Sequence, residues 1–395
     1  MNSTGKKSNW FDVVVIGAGP AGSTAAYILA LNGLDVLILD KSTFPRDKLC
    51  GGLLTLKTAK LLETVFKLSV DRMKRHRIIT YQSFNYKVVD SKGNSIKGRM
   101  DYPFYFVQRS IYDAFWLEMA QKAGAQFREG EKVVALDITA KKVTTNKGGE
   151  FFGNFILGAD GALSKTRQLL SAAGFIKPNR RSEIATTLEV FIPNRDISEL
   201  TDYPSIYFGH IRWGYTWSFP GENFRILGLA GLKDKAGKSP KAGFQRFLES
   251  LNISFERVPH LRSHALPYGN YLSRPGNGNV LLLGDACGLA DPLLGEGIYY
   301  AHKSAWLAAQ AILSSSDNVP AVFEKYTRLL EKDIISEHKL LRILRQIIFS
   351  LPGNWSFKIL AAILKTIPTQ CEEALHGLRS VKWFRRRSFY PDGKK

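Results

Sequence analysis

The chain has 395 residues, 45% apolar and 23% charged, which suits a globular protein of roughly two or three domains. Its three cysteines, Cys50, Cys287 and Cys371, are too few and too scattered for a disulfide framework or a zinc site, so we expect a reducing, cytoplasmic compartment and no bound metal. The net charge of +20 predicts either a solvated basic surface or attraction to polyanions, but no nucleic-acid-binding signature accompanies it.

The N-terminal sequence MNSTGKKSNWFD has no apolar core and is not typical of a secretory signal. The uncharged run 13–34 is long enough for a membrane span. Its glycines and its continuation instead predict a strand, a turn and a helix, so we expect no transmembrane helix.

Residues 11–41, FDVVVIGAGPAGSTAAYILALNGLDVLILDK, predict a strand, a glycine turn, a helix and a second strand that ends in Asp40. Gly17 permits the tight turn, Gly19 lets the backbone approach a pyrophosphate, and Gly22 lets the helix pack on the strand. The helix N-terminus offers N–H groups to phosphates, and Asp40 is placed to bind a ribose hydroxyl. The pattern predicts a dinucleotide site for FAD or NAD rather than NADP.

Three later segments carry polar residues or glycines where a strand or loop leads into a helix. They are 107–124 with Arg109, 155–167 with Asp160 and Gly161, and 279–310 with Gly284 and Asp285. In this order and at these distances, the motifs resemble those of the flavoprotein hydroxylase and reductase superfamily over about residues 10–315. The resemblance implies FAD as the cofactor, bound by a Rossmann-like domain.

The resemblance also implies roles for individual residues. Asp285 would bind the ribityl chain or a nearby ribose, Arg109 the phosphates or ribityl chain, and Asp160 the pyrophosphate region. Helix 298–312 would direct its N-terminus at the flavin N1–C2=O edge, where a positive helix end stabilises the anionic reduced ring. The remaining cofactor contacts implied in this way are Lys41, Cys50, Gly51, Gly52, Val134, Gly161, Gly284, Gly295, Gly297 and Ile298.

Within the superfamily, the chain is most similar to the geranylgeranyl reductases, which saturate isoprenoid double bonds. Three stretches carry this resemblance: DKLCGGLL (47–54), WGYTWSFP (213–220) and GEGIYYAHKSA (295–305). Gly221 and Leu294 depart from residues common in the family, which leaves the substrate open. A flavin-dependent halogenase or monooxygenase remains the alternative enzyme, although Tyr215 and Phe219 replace residues of the similar halogenase motif.

The segment between the later motifs, 180–275, predicts an antiparallel sheet with an aromatic wall suited to a long prenyl substrate. The aromatic residues are Tyr207, Phe208, Trp213, Tyr215, Trp217 and Phe219. Cys50, Tyr215 and Trp217 are the candidate catalytic residues. An isolated alkene is not electrophilic, so hydride from flavin N5 requires a proton donor; Cys50 is either that donor or a packing residue.

No second glycine motif is present for a nicotinamide cofactor. The electron donor is therefore NAD(P)H bound in another way or reduced ferredoxin, whose acidic surface would suit the basic chain. A non-enzymatic alternative is a lipid-binding or prenylated-protein escort with a flavin fold, which need not retain a yellow cofactor.

These motifs predict a two-domain α/β protein with a helical C-terminal segment. The FAD-binding domain comprises 10–75, 100–175 and 276–330, the substrate domain 76–99 and 176–275, and the helical, basic region 331–395. The C-terminal sequence RSVKWFRRRSFYPDGKK (379–395) interleaves basic residues with Trp383, Phe384, Phe389 and Tyr390. This composition predicts peripheral contact with an anionic membrane surface.

Overall fold

The structure, a computed structural model, describes residues 9–178, 181–197, 200–233, 235, 239–258, 260–315, 318–351 and 355–382. The aromatic residues of the predicted membrane-contacting tail, 383–390, lie outside these residues. Sixteen strands occur in the described ranges: β1 (Trp10–Ile16), β2 (Val36–Asp40), β3 (Leu53–Leu54), β4 (Tyr81–Val89), β5 (Ser95–Phe106), β6 (Gln126–Glu129), β7 (Val133–Asp137), β8 (Lys142–Thr145), β9 (Glu150–Gly158), β10 (Ala185–Pro193), β11 (Ser205–Tyr207), β12 (Gly214–Phe219), β13 (Phe224–Leu232), β14 (Arg262–Leu266), β15 (Gly276–Asn277) and β16 (Val280–Leu282).

The same ranges contain eleven α-helices. They are α1 (Pro20–Leu31), α2 (Leu56–Phe66), α3 (Val70–Arg75), α4 (Arg109–Lys122), α5 (Lys165–Ala172), α6 (Pro240–Glu249), α7 (Ile298–Ser315), α8 (Val319–Leu330), α9 (Ser336–Ser350), α10 (Trp355–Thr366) and α11 (Pro368–Leu375). No helix in the described part of the chain combines the length and apolarity needed to cross a bilayer. The uncharged run 13–34 is divided between β1 and α1, as predicted.

The first of two compact units comprises residues 1–47, 110–180 and 269–336. Its sheet has the order β15-β16-β9-β1-β2-β6, and the strands from β16 to β6 run parallel. Val13–Val15 and Val36–Leu39 are fully buried, because a parallel sheet covered on both faces needs continuous apolar strands. Ile16 pairs with both Leu39 and Gly158, so the carboxyl ends of β1, β2 and β9 lie at one edge of the sheet.

The second unit comprises residues 48–109, 181–268 and 337–395. Its sheet has the order β14-β10-β13-β12-β11-β4-β5-β3 and is antiparallel except where β11 runs parallel to β4. Alternate residues of β10 and β13 pack with α6 on one face of this sheet: Leu188, Val190, Ile192, Leu227, Leu229, Phe244, Phe247 and Leu248. The predicted fold class, a Rossmann-like unit with a second sheet inserted in the chain, is confirmed.

The boundaries of the compact units differ from those of the predicted domains. Residues 48–75 and 100–109, predicted to belong to the FAD-binding domain, lie in the second unit, where β3 pairs with β5. The C-terminal helices from residue 337 also lie in that unit. Arg345 of α9 explains part of this attachment, because its guanidinium lies 2.5 Å from both Glu183 Oε2 and the Tyr268 carbonyl oxygen. Pairing between distant segments is not visible in local periodicity.

His376 ties the end of α11 to the start of α2. Its Nδ1 accepts a hydrogen bond from the Leu56 N–H at 3.0 Å, and its ring lies 5.5 Å from that of Phe104. Burial, together with the positive charge of Lys57, lowers the pKa of His376 to about 4. Only the neutral ring accepts at Nδ1, so the contact requires deprotonated histidine.

We expect this contact to make stability depend on pH. The folded-state pKa of about 4 lies below the unfolded value of about 6.5, so the stabilisation is complete above pH 6.5 and is lost as pH falls towards 4. The loss attributable to His376 is roughly 3 kcal/mol. Denaturant unfolding from pH 7 to 4 should show a smaller decline for His376→Asn than for the wild type.

The exposed His76 provides a matched control, and His76→Asn should retain the wild-type pH dependence. Burial also lowers the pKa of His338 to about 3 and that of His210 to about 4, so part of the acid sensitivity persists in every variant. If the stability of His376→Asn fell between pH 7 and pH 4 as much as that of the wild type, the pH dependence could not be assigned to His376.

Candidate active site

The glycine turn after β1 leaves no room for side chains at two positions. Gly17 has a φ of +103°, and a Cβ on it would lie 2.5 Å from the Ala159 carbonyl oxygen. A Cβ on Gly22 would clash with the carbonyl oxygen of Gly17. The two glycines therefore allow β1, β9 and the start of α1 to approach one another closely.

The N-terminus of α1 suits an anion. The helix begins at Pro20, and its N-cap Gly19 provides no side chain to cap the first turn. The backbone N–H groups of a first helical turn have no partner within the helix and carry its positive dipole end. The turn and the uncapped helix thus form a cradle of the kind that binds a pyrophosphate.

Arg46 adds a cation to this cradle, and no sequence motif indicated it. Its Nη2 atom would lie 3.3 Å from a Cβ on Gly19 and is 3.1 Å from Asp113 Oδ2. Asp113, on α4, is fully buried and holds the guanidinium in position. A basic residue six positions after Asp40 was visible in the sequence, but nothing there indicated that its loop returns to the glycine turn.

Asp40 connects the end of β2 to the same turn. Its Oδ2 accepts a hydrogen bond from Ala18 N at 2.7 Å, and its Oδ1 accepts one from Ser42 N at 2.8 Å. Each carboxylate oxygen has a second lone pair, so the side chain retains the capacity to bind a ribose hydroxyl.

Asp160 stabilises the first turn of α5. Its Oδ1 accepts from Ser164 Oγ at 2.5 Å, and its Oδ2 accepts from Thr166 N at 2.9 Å and Thr166 Oγ1 at 3.1 Å. Burial raises the pKa of Asp160 despite these hydrogen bonds. Its Cα would lie 3.0 Å from a Cβ on Gly17, so the Asp160–Gly161 turn is adjacent to the cradle.

The segment that follows β16 brings α1 and α7 together. Gly284 has a φ of +51° and donates its N–H to Ser304 Oγ at 2.9 Å. A Cβ on Gly284 would lie 3.3 Å from Ala301 Cβ and 3.4 Å from Ala21 Cβ. Gly284 therefore lies against both α1 and α7. The cofactor contacts predicted at the starts of these two helices thus belong to one region of the first unit.

Asp285 lies next to the N-terminus of α7. Its Oδ1 would be 3.4 Å from a Cβ on Gly297, which directly precedes Ile298. The intervening loop is shaped by Asp291, whose Oδ1 accepts from the N–H groups of Leu293 and Leu294, each at 2.7 Å. Gly295 takes a φ of +73° in this loop.

His302 forms a buried junction of three helices that the sequence did not indicate. Its Nδ1 lies 2.6 Å from Thr24 Oγ1 of α1, and its Nε2 lies 2.8 Å from Tyr112 Oη of α4. Both ring nitrogens of this α7 residue are thus engaged. The junction fixes α7 relative to α1 and α4 within the first unit.

In the second unit, the loop Cys50–Gly52, here called the cysteine loop, packs against β12. A Cβ on Gly51 would lie 2.7 Å from Phe219 Cδ2 and 3.4 Å from Trp217 Nε1. Gly52 has a φ of +68°, and a Cβ there would clash with the Val107 carbonyl oxygen. Cys50 is half-buried, and its Sγ accepts from Gly52 N at 3.4 Å.

Tyr215, Trp217 and Phe219, here called the aromatic strip, alternate along β12 and project from one face of the sheet. Their neighbouring ring centroids are 5.8 and 5.9 Å apart. Trp217 covers Gly228 on β13, where any Cβ would clash with the indole. Its buried Nε1–H has no hydrogen-bond partner among the described residues.

The predicted aromatic wall is only partly correct. Phe208 lies 6.3 Å from Tyr215, but Tyr207 belongs to the core on the opposite face, 5.1 Å from Phe247. Tyr207 ends β11 and Phe208 directly follows it. Adjacent residues of an extended chain point to opposite faces of a sheet, so Tyr207 and Phe208 could not both belong to the aromatic wall. Trp213 precedes β12 with a φ of +53° and carries the Lys235 amine 4.0 Å from its ring centroid.

The other predicted cofactor residues are more dispersed. Lys41 is exposed immediately after β2, and Val134 occupies an irregularity between Val133 and Ala135 in the β7–β8 pair. Arg109 is buried at the start of α4. The first unit thus brings together the glycine turn, Asp40, Asp160, Gly161, Gly284, Asp285 and Gly297, whereas the second holds Cys50, Gly51, Gly52, Arg109, Tyr215 and Trp217.

The residues of the first unit fit FAD. Gly17 and Gly22 let the turn close tightly at the start of α1, the N-terminus of α1 has no side-chain cap, and Arg46 supplies a positive charge beside Gly19. These features match the diphosphate of a dinucleotide, and Asp40 matches an unphosphorylated ribose.

Comparison with known proteins agrees with this geometry. The sequence profile described as FAD binding domain matches residues 11–316. The chain is 32% identical to a menaquinone reductase of Mycobacterium tuberculosis over 78% of this chain and 77% of that protein. It is 27% identical to a digeranylgeranylglycerophospholipid reductase of Methanosarcina acetivorans, over 82% and 80%.

Solved structures share the fold. A geranylgeranyl bacteriochlorophyll reductase-like protein of Thermoplasma acidophilum matches with a TM-score of 0.75 and 22% identity, over 93% of this chain and 98% of that one. A flavin-dependent brominase matches with a TM-score of 0.69 and 20% identity, over 93% and 94%. At these identities the structural likeness establishes the fold and does not distinguish reduction from halogenation.

Proposed function

Because this chain belongs to the FAD-binding-domain family of flavoproteins and has geranylgeranyl reductase homologues, we propose that it is an FAD-dependent reductase that saturates carbon–carbon double bonds of an isoprenoid chain. One relative named above is a reductase of a quinone and another of a geranylgeranyl lipid. These head groups differ, which favours recognition of the apolar chain.

The observation that carries the proposal is the packing of the cysteine loop on the aromatic strip. Gly51 brings its backbone against Phe219 and Trp217, so a thiol and an aromatic surface occur in one part of the second unit. Aromatic side chains bind an apolar chain without requiring polar handles. Half-buried Cys50, which directly precedes Gly51 in this loop, carries an exchangeable proton.

The reaction adds two hydrogens to each alkene. Reduced FAD, which the glycine turn, Asp40 and Arg46 would hold, would supply the hydride equivalent for this reduction. The Cys50 thiol delivers a proton to the less substituted alkene carbon, which develops positive charge at the more substituted carbon. The thiolate recovers its proton from water, since Cys50 is only half-buried. The aromatic strip orients the chain and excludes water from the reacting bond.

Anaerobic incubation with a prenyl lipid tests this function directly. The protein is loaded with FAD, reduced with dithionite so that the natural electron donor is irrelevant, and mixed with a geranylgeranyl lipid. Mass spectrometry of the product should show a gain of two hydrogens for each double bond reduced. Reduced FAD without protein is the control.

Other results would identify the alternatives. A product formed only with oxygen, or with oxygen and halide, would indicate a monooxygenase or halogenase and overturn the proposal. Binding of the lipid by a protein that takes up no FAD would instead indicate an escort. The reductase proposal would also be contradicted if the protein, with its flavin fully reduced, left every tested prenyl lipid unchanged in the absence of oxygen.

A further inference from the structure

Helix α9 presents a stripe of apolar residues that is exposed in the described part of the structure. Ile343 and Ile347 are 52% and 53% exposed, and Leu351, just beyond the helix, is 39% exposed. Residues four apart lie on the same side of a helix, so the three form one line. The buried side of α9 is a different one and contains Leu341, Arg345, Ile348 and Phe349.

Helix α10 extends this apolar exposure. Its sequence, WSFKILAAILKT, contains many large apolar residues, yet Phe357 is its only buried residue. Trp355 is 51% exposed, and Ile359, Leu360, Ile363 and Leu364 are only partly buried. These five residues, with Ile343, Ile347 and Leu351, are here called the C-terminal apolar surface. Ser356 at the start of α10 donates a hydrogen bond to the Ile348 carbonyl oxygen of α9 at 2.8 Å, so the two helices meet where these residues begin. Clustered apolar exposure marks a binding surface rather than ordinary scatter.

The exposed charged residues on α9 and α10 themselves are basic. Lys339, Lys358 and Lys365 are exposed, and α10 contains no acidic residue. Lys358 Nζ lies 4.8 Å from the ring centroid of Trp355, which joins a cation to the exposed indole. Glu337, at the start of α9, is engaged with Ser380 Oγ and Val381 N.

These charges decide between two occupants. A second copy of this chain would bring lysines against lysines, on a protein whose net charge is +20. An anionic bilayer instead offers phosphates to the lysines and acyl chains to the isoleucines, and tryptophan favours that interface. We infer that the C-terminal apolar surface docks onto an anionic lipid bilayer, with α9 and α10 lying in the headgroup region.

This inference does not depend on reductase chemistry, because it uses no predicted catalytic or cofactor residue. Sedimentation of the FAD-loaded full-length protein with phosphatidylcholine vesicles, with and without phosphatidylglycerol, tests it. We expect binding that increases with phosphatidylglycerol and falls with salt. The double variant Ile343→Asp/Ile347→Asp should partition at least about tenfold more weakly, since interfacial binding scales with buried apolar area.

Leu31→Asp is the control for a negative charge added elsewhere, because Leu31 is 61% exposed at the end of α1, away from α9 and α10 in the sequence. It adds one negative charge, against two in the double variant, to an exposed apolar position and should retain wild-type binding. Circular dichroism confirms that each variant is folded. In a second measurement, brominated phospholipid should quench tryptophan fluorescence, and Trp355→Phe should remove most of that quenching.

Three outcomes would overturn the inference. Wild-type binding by the double variant would mean that basic charge elsewhere is sufficient. Equal losses in the double variant and Leu31→Asp would mean that any added negative charge has the effect. A dimer in light scattering that the double variant converts to a monomer, without vesicle binding by the wild type, would assign the surface to a second copy.

Discussion

Cys50→Ala should slow single-turnover reduction of a prenyl alkene by about 10²-fold or more while FAD binding remains. A positioned general acid contributes about 10²- to 10⁴-fold to a rate, and alanine removes the proton without adding bulk. The measurement is flavin reoxidation by the lipid under anaerobic conditions, with product mass as the second readout. Cys50→Ser tests acidity at nearly constant size and should be similarly slow, because a hydroxyl is a far weaker acid.

Cys371→Ala is the control for this prediction. Cys371 is also half-buried and lies in the second unit, and burial raises the pKa of its thiol. Removing it should leave the rate unchanged. Normal turnover by Cys50→Ala would exclude the thiol as the proton donor and would make Cys50 a packing residue beside the aromatic strip.

Gly22→Ala should abolish FAD binding and destabilise the first unit. The new Cβ would clash with the Gly17 carbonyl oxygen, which is backbone and cannot move aside without displacing the turn. Overpacking of this kind costs about 1–3 kcal/mol. Thermal unfolding of the apoprotein and titration with FAD, followed by flavin fluorescence, measure the two effects separately.

Gly19→Ala separates cofactor approach from folding. Gly19 has a φ of −75°, which alanine adopts, and its Cβ would meet only the end of the Arg46 side chain at 3.3 Å, a contact that a shift of a few tenths of an ångström relieves. The apoprotein should therefore keep its stability, whereas FAD affinity should fall because the methyl group occupies the approach of the pyrophosphate. If Gly19→Ala bound FAD with wild-type affinity, the pyrophosphate would have to lie elsewhere. If Gly22→Ala were stable and bound FAD, that result would contradict the described turn.

Local sequence was sufficient for the cradle because each of its requirements acts over a few residues. Gly17 and Gly22 are demanded by a turn that brings backbone against backbone, and the strand, turn and helix follow one another along the chain. The same holds for Asp40, which reaches back to Ala18 at the adjacent strand end. Strict alternation along β12 likewise placed Tyr215 and Trp217 on one face.

Relations between distant segments were not accessible in this way. Arg46 reaches Gly19 through a loop, and hydrophobic periodicity does not predict the path of a loop. Tyr207 was assigned to the wrong face because the turn between β11 and β12 sets the register of the two strands. The attachment of the C-terminal helices depends on Arg345 and His376, which meet Glu183 and Leu56, partners more than a hundred residues away.

The sequence by itself determined the cofactor class, the glycine cradle and the candidate thiol, because short-range steric and hydrogen-bonding requirements leave few residue types able to satisfy them. Only the tertiary structure decided that the cysteine loop packs on the aromatic strip and that α9 and α10 leave apolar residues uncovered. Those facts depend on which distant surfaces are buried against each other, and a one-dimensional pattern records a residue's apolarity but not what covers it.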